Sequence, residues 1–288
     1  MSQCDPLDPA ACYLPFPNNF WLRENAEGVR VTAFSNTTFP ADADGNRLNV
    51  DESDGWDGFT GFAPMTPLIT YFKNASIDNC ARLWNMGDSL SKDSPTVLYD
   101  LTAGERVRHW VELDHSSDEW FGGESERMFM VWPASSLLEG HDYAVAIRSL
   151  VTTTGDAVPS STAFLALRDG TKTSNPDIEE RRQEFDSMFE ALTKAGVERG
   201  ALQLAWPIRV GKQQDFTASM ISMRDQGVAL ADKGAITFAV DEVRENPREG
   251  TRRQVQGHMV NVPWYLSKDD ADISSRLVRD SKTGLPVQ

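Results

Sequence analysis

The segment from Arg127 to Gly170 carries the pattern that most restricts how this chain can fold. Within it, three stretches show a period of two: Met128, Met130 and Trp132, then Tyr143, Val145 and Ile147, then Phe164, Ala166 and Arg168. Gly140 and Gly155 stand between these stretches. A period of two with glycine-centred turns is typical of antiparallel strands that bury one face. The segment therefore predicts three consecutive strands, and with them a β-sandwich framework.

After this block the apolar pattern changes from a period of two to a helical period. Asn175 can cap a helix that has Pro176 at its first position and Gly196 at its end. A second helical pattern runs from about Phe216 to Gly234, and 236–243 with 255–266 form a last strand pair. We predict a mainly β (α+β) fold: an antiparallel sandwich over 1–172, and two packed helices plus strands over 173–288 that complete or pack on it.

The charge balance excludes some classes of partner. The chain has 288 residues and a formal net charge of -15, with 43 acidic against 28 basic side chains. An acidic surface repels phosphate backbones and anionic lipids, so we predict no nucleic-acid partner. No run of 18 or more apolar residues is present, so no membrane span is predicted either.

The cysteines bear on where the protein resides. Met1–Asp8 is short and polar and has no signal peptide, so the chain is either cytosolic or a fragment whose export signal lies upstream. Cys4 and Cys12 bracket a tight proline-containing loop and are predicted to form a disulfide, whereas Cys80 is left over as a buried thiol. The predicted disulfide favours a secreted or cell-envelope protein.

Gly87-Asp88-Ser89-Leu90 matches the block that marks one class of serine esterases. That class also needs a later Asp-x-x-His, which this sequence lacks. A serine with no base to accept its proton is a poor nucleophile, so we interpret the block as a turn and keep Ser89 only as a weak catalytic candidate. Gly-x-Ser-x-Gly, Walker and Gly-x-Gly-x-x-Gly motifs are missing as well, and no cofactor is predicted.

Alternate oxygen-bearing residues at Asp42, Asp44 and Asn46 resemble the start of a calcium loop. The sequence then departs from that loop, because Arg47 stands where glycine is needed and Ser53 where glutamate is needed. A hairpin turn at Asp44-Gly45 is the preferred interpretation. These three residues stay weak calcium candidates, and no metal site is predicted elsewhere.

Aromatic side chains in polar, glycine-rich stretches could form a platform for a ligand. Trp56 and Phe59 lie in such a stretch, and Trp120 lies at the tip of a polar loop. Flat rings of this kind stack on sugar faces in carbohydrate-binding sandwiches. The competing interpretation is that these side chains pack in the core.

Two resemblances to known families extend this prediction. The residues at one set of positions resemble bacterial immunoglobulin-like surface modules: Pro133, Leu137, Gly140, Tyr143, Val145, Gly155 and Ala157. A longer series of motifs resembles the N-terminal half of large secreted or envelope-anchored bacterial proteins, in which a β-sandwich region precedes an α/β-hydrolase-like domain of lipase or esterase type. That series includes residues 4–20, 67–71, 94–105, 168–170, 204–206 and 223–225.

The second resemblance implies a function without catalysis in this chain. In that family the nucleophile lies beyond the equivalent of Gln288, so no catalytic residue carries over. The implied role is an accessory region that positions a downstream hydrolase domain of the same polypeptide, or that binds a surface glycan or polymer. A free-standing adhesion or carbohydrate-binding module is the first alternative, and an esterase that uses Ser89 is the second.

Overall fold

The structure is a computed structural model that describes residues 4–8, 13–25, 28–31, 59–116, 123–268 and 275–288. The chain divides into two compact units, Met1–Lys212 and Gln213–Gln288. This division lies later than the boundary predicted at residue 172, because a strand and helices that follow residue 172 pack with the first unit.

The strands and α-helices of the described residues are, in chain order, β1 (Leu22–Asn25), β2 (Gly28–Val31), β3 (Leu68–Tyr71), β4 (Ala75–Ser76), β5 (Thr96–Asp100), β6 (Glu105–Val107), β7 (His109–Leu113), β8 (Met128–Pro133), β9 (Asp142–Arg148), β10 (Val151–Thr152), α1 (Thr162–Arg168), α2 (Pro176–Glu179), α3 (Arg182–Lys194), β11 (Leu202–Arg209), α4 (Gln213–Asp232), β12 (Thr237–Arg248) and β13 (Thr251–Val260). A 3-10 helix at Leu83–Leu90 follows β4. The predicted mixture of antiparallel strands with helices, an α+β fold, is confirmed.

Two antiparallel sheets contain most of the described strands of the first unit. One has the order β3-β8-β7 and the other the order β11-β9-β5-β6. Phe129 and Val131 of the first sheet and Val145 and Ile147 of the second belong to one apolar cluster. The alternation predicted for 128–132 is therefore confirmed, with Phe129 and Val131 on the buried face.

Two strands of the Arg127–Gly170 segment lie in different sheets. β8 pairs with β3 and β7, whereas β9 pairs with β5 and β11, so these two consecutive strands are not neighbours. Alternation identifies the face that a strand buries and not the strand beside it. The Gly140 turn thus connects the two sheets.

Strand β9 is covered on both faces. Its residues from Tyr143 to Ile147 are all buried, which is the pattern of a strand between two layers. Asp142 lines a cavity together with residues of α3, so Ala144 and Ala146 face the helices by the period of two. Tyr143, Val145 and Ile147 face the opposite side.

The third predicted strand, 164–168, is a helix in the structure. Ser161 caps α1 by accepting a hydrogen bond from the backbone N–H of Phe164 at 3.1 Å. The buried residues Phe164 and Leu167 are three apart and lie on one helical face. A short apolar run suits a strand or a helix, and here the serine cap decides in favour of the helix.

The first predicted helical segment is confirmed with an interruption. Asn175 caps α2 by accepting from the N–H of Asp177 at 2.9 Å, and α3 begins at Arg182. Phe185, Met188, Phe189 and Leu192 of α3 are buried in the main cluster, as the periodicity predicts.

The second unit contains α4 and the β12–β13 hairpin. Both elements were predicted from the sequence and are present. None of the residues of α4 is fully buried.

Candidate functional site

Ser89 lies in the Leu83–Leu90 3-10 helix and is almost fully buried. Its Oγ donates a hydrogen bond to the carbonyl of Met86 at 2.7 Å and accepts one from the backbone N–H of His109 at 3.1 Å. A hydroxyl engaged in this way closes a turn onto β7 and is not presented to a substrate.

The structure brings one hydroxyl and one imidazole together, but inside the core. The Oγ1 of Thr96 lies 2.9 Å from the Nε2 of His109, and both side chains are fully buried. The Nδ1 of His109 lies 2.9 Å from the carbonyl of Val107, so Nδ1 carries the proton and Nε2 accepts from Thr96. Burial lowers the pKa of His109 to about 4, which keeps the ring neutral.

The buried His109 predicts an acid-sensitive first unit. Because the pKa of His109 is lower in the folded state, its contribution to stability is present above about pH 6.5 and is lost as the pH falls toward 4. The loss expected over this window is about 3 kcal/mol. Urea titrations at several pH values measure it: His109→Gln should flatten the profile, whereas the exposed control His115→Gln should not. Identical profiles for all three proteins would contradict the assignment.

A second histidine is held by a carboxylate at the end of β5. Asp100 Oδ2 lies 2.8 Å from the Nδ1 of His141, and its Oδ1 accepts from the N–H groups of Thr102 and Ala103. Burial alone would raise the pKa of Asp100, but the bonds from Ala103, His141 and Tyr143 hold it below its usual value. Together these contacts fix the turn after β5.

The structure describes only one of the three platform candidates. Phe59 packs against the small aromatic cluster of Phe20, Trp21 and Phe62, which favours the packing interpretation for it. Trp56 and Trp120 lie outside the described residues, and so do the calcium candidates Asp42, Asp44 and Asn46.

A different aromatic pair is observed on the three-stranded sheet. Trp110 and Trp132 lie opposite each other on β7 and β8, with ring centroids 6.0 Å apart and nearly parallel planes. Both side chains are half-buried. The alternation of 128–132 contained this signal, because it placed Trp132 on the face away from Phe129 and Val131.

Of the two predictions for the cysteines, the structure describes the one for Cys80. Cys80 is a free, buried thiol, and burial raises its pKa to about 12, so it is protonated at neutral pH and unreactive. Cys12 lies outside the described residues, so the Cys4–Cys12 disulfide stays a prediction.

Metal-ligand clusters and membrane-spanning helices are both missing from the described residues. Among them, no three His, Cys, Asp or Glu side chains converge as metal ligands. No helix within the same ranges is both long and apolar enough to cross a membrane.

The β12–β13 hairpin carries an exposed apolar face, which we call the hairpin face. The register pairs Phe238 with Met259 and Val243 with Val255. Cross-strand partners point to the same side of a hairpin. The exposed fractions are 78% for Phe238, 65% for Met259 and 56% for Val255.

A bulge keeps the hairpin face continuous. The register shifts between Val240 and Glu242, so Val243 returns to the side of Val240 although it is three residues away. Gly257 lies opposite Val240, and a Cβ at this glycine would come within 2.3 Å of the carbonyl oxygen of Ala239. Glycine is therefore required for the close approach of the two strands.

The opposite face of the hairpin is polar. It carries Glu242, Arg244, Gln254, Gln256 and His258. Alternation with one apolar and one polar face is the pattern of a sheet that has a covering layer on one side. The alternation of Val255, Gly257 and Met259 was visible in the sequence, but only the register places it opposite Phe238 and Val243.

Comparisons of the chain with protein-family models, with curated proteins and with solved structures return no match. The functional interpretation therefore depends on the geometry above and on the resemblance in the sequence motifs.

Proposed function

We propose that this chain is a non-catalytic region of a secreted or cell-envelope hydrolase-like protein, and that it positions a downstream hydrolase-type domain of the same polypeptide. The observation that carries the proposal is the exposed hairpin face. A two-stranded hairpin is marginally stable alone, and its exposed apolar face needs a covering layer. The ordered motif resemblance supports a domain of the same polypeptide as that layer.

The surroundings of the hydroxyl groups support the non-catalytic part of the proposal. Ser89 uses its hydroxyl to join two backbone segments, and the Thr96–His109 pair is sealed in the core. A nucleophile and its base must be reachable by substrate. We also propose that the two main sheets form an immunoglobulin-like sandwich, an arrangement supported by their shared apolar cluster.

An ester-hydrolysis assay tests the absence of catalysis. The purified chain, given short p-nitrophenyl esters, should show no more turnover than its Ser89→Ala variant. Turnover that this substitution abolishes would overturn the proposal and establish the esterase alternative.

Hydrogen exchange tests the docking role of the hairpin face. The chain is compared with the polypeptide extended through the reading frame beyond Gln288, and the amides of β12 and β13 should exchange more slowly in the extended protein. Phe238→Ser with Val255→Ser should remove this protection, whereas Gln254→Ser with Gln256→Ser on the polar face should not. Unchanged exchange in the extended protein, or protection of the short chain through self-association, would contradict the assignment.

A further inference from the structure

A cavity of about 360 Å³ lies between α3 and the helix-facing side of the four-stranded sheet. Its polar lining comes from Asn19, Asp142, Glu184, Ser187 and Arg209, and its apolar lining includes Met188 and Pro207. The volume is within the range of small-molecule sites. The proposed docking role does not involve this cavity, and the Gly87–Leu90 block contributes none of its lining residues.

The positive charges around this cavity are already paired with other carboxylates. Arg209 donates from Nε and Nη2 to the two oxygens of Asp142, at 2.8 and 2.9 Å. Arg181 donates to Asp5 at 2.8 Å and to Asn18 at 3.0 Å. Glu184 is therefore the carboxylate of this cavity that has no cation of its own among the described residues.

The environment of Glu184 disfavours its charge. Burial is the main cause that raises the pKa of Glu184, and the nearby charge of Asp142 raises it further. The bond from Asn19 and the charges of Arg181 and Arg209 only partly oppose this shift. A cation placed beside the carboxylate would relieve the cost of ionising it.

Hydrogen-bond acceptors also outnumber donors at this point. Glu184 Oε1 accepts from the Nδ2 of Asn19 at 2.7 Å. The Oδ1 of Asn19 is buried and accepts no hydrogen bond from the described residues. That oxygen has no surface open to the cavity, whereas Glu184 lines it, so the Glu184 carboxylate is the acceptor that a ligand with N–H or O–H donors can use.

We propose that this cavity binds a small aliphatic primary amine as its ammonium ion, held by the carboxylate of Glu184, which Asn19 positions. The carbon chain of the amine would lie on Met188 and Pro207. An ammonium group supplies three donors and the missing positive charge. A calcium ion fits less well, because it needs six to eight oxygen ligands.

Calorimetric titration with butylammonium chloride tests the proposal, with sodium chloride matching the ionic strength. We expect saturable binding by the unaltered chain and by Glu190→Gln, an exposed control on the same helix. Glu184→Gln should weaken the affinity at least about tenfold, since a charge-assisted hydrogen bond is lost. Tetramethylammonium, which has no N–H donor, should bind at least about tenfold more weakly to the unaltered chain.

Three outcomes would overturn the site. They are no saturation by butylammonium up to about 50 mM, equal affinities for Glu184→Gln and Glu190→Gln, and tighter binding of glucose or calcium than of the amine. Thermal melting and circular dichroism of both variants check that each is folded. The tetramethylammonium comparison needs no substitution and so does not depend on folding of a variant.

Discussion

Replacement of Arg181 by methionine is expected to destabilise the first unit by about 3–5 kcal/mol. The guanidinium pairs with the fully buried Asp5 and also donates to Asn18. It lies between the rings of Phe20 and Phe185, 5.2 and 5.0 Å from their centroids. Methionine can keep the apolar contacts, but it leaves the carboxylate of Asp5 buried without a cation.

The cost of this substitution should depend on pH. Burial already raises the pKa of Asp5 in the folded protein, and loss of Arg181 removes the main opposing cause. A raised folded pKa means that stability is greatest when Asp5 is protonated and falls as the pH rises through the folded pKa. Arg181→Met should therefore be less damaging near pH 5 than near pH 8.

Urea titrations of the two proteins at both pH values measure the effect. Lys172→Met removes an exposed charge and should change the unfolding free energy by no more than about 0.5 kcal/mol. Adding Asp5→Asn to Arg181→Met should recover part of the loss, because the uncompensated charge is then removed. A small loss that does not vary with pH would show that Asp5 and Arg181 are not coupled.

Replacement of Trp206 by alanine is expected to cost about 3–5 kcal/mol. Trp206 lies on β11, is fully buried, and is the largest of the fully buried side chains among the described residues. Its indole Nε1 donates to the carbonyl of Pro17 at 2.9 Å, so the substitution opens a cavity and also leaves that carbonyl without its donor.

The exposed Trp84 in the same unit provides the control. Its side chain is 82% exposed, and Trp84→Ala should shift the unfolding free energy by about 0.5 kcal/mol or less. Trp206→Phe should fall between the other two variants, because it keeps a ring but loses the N–H donor. Equal melting temperatures for Trp206→Ala and Trp84→Ala would contradict the placement of Trp206 in the core.

Local patterns predicted the elements better than their arrangement. The alternation at 128–132 and the Asn175-Pro176 start of a helix depend on neighbouring residues, and both were confirmed. The assignment of 164–168 as a strand was wrong, because a short apolar run suits either element and the cap at Ser161 favours the helix.

Sites formed by distant residues could not be predicted in this way. Asn19, Asp142, Glu184 and Arg209 line one cavity, yet they come from four separate parts of the chain. None of them belongs to a motif with a spacing that marks a site. The Gly87-Asp88-Ser89-Leu90 block is the opposite case: Ser89 belongs to a recognisable motif, but its hydroxyl is hydrogen-bonded within a turn and forms no site.

The position of β9 has a consequence for biosynthesis. Its two neighbours in the sheet, β5 and β11, come from opposite sides of it in the sequence. A chain leaving the ribosome can pair β9 with β5 early, but β11, the last strand of this sheet, can be added only after Arg209 has emerged. Until then a growing chain exposes one edge of β9, so completion of this unit must wait for nearly all of its length to be synthesised.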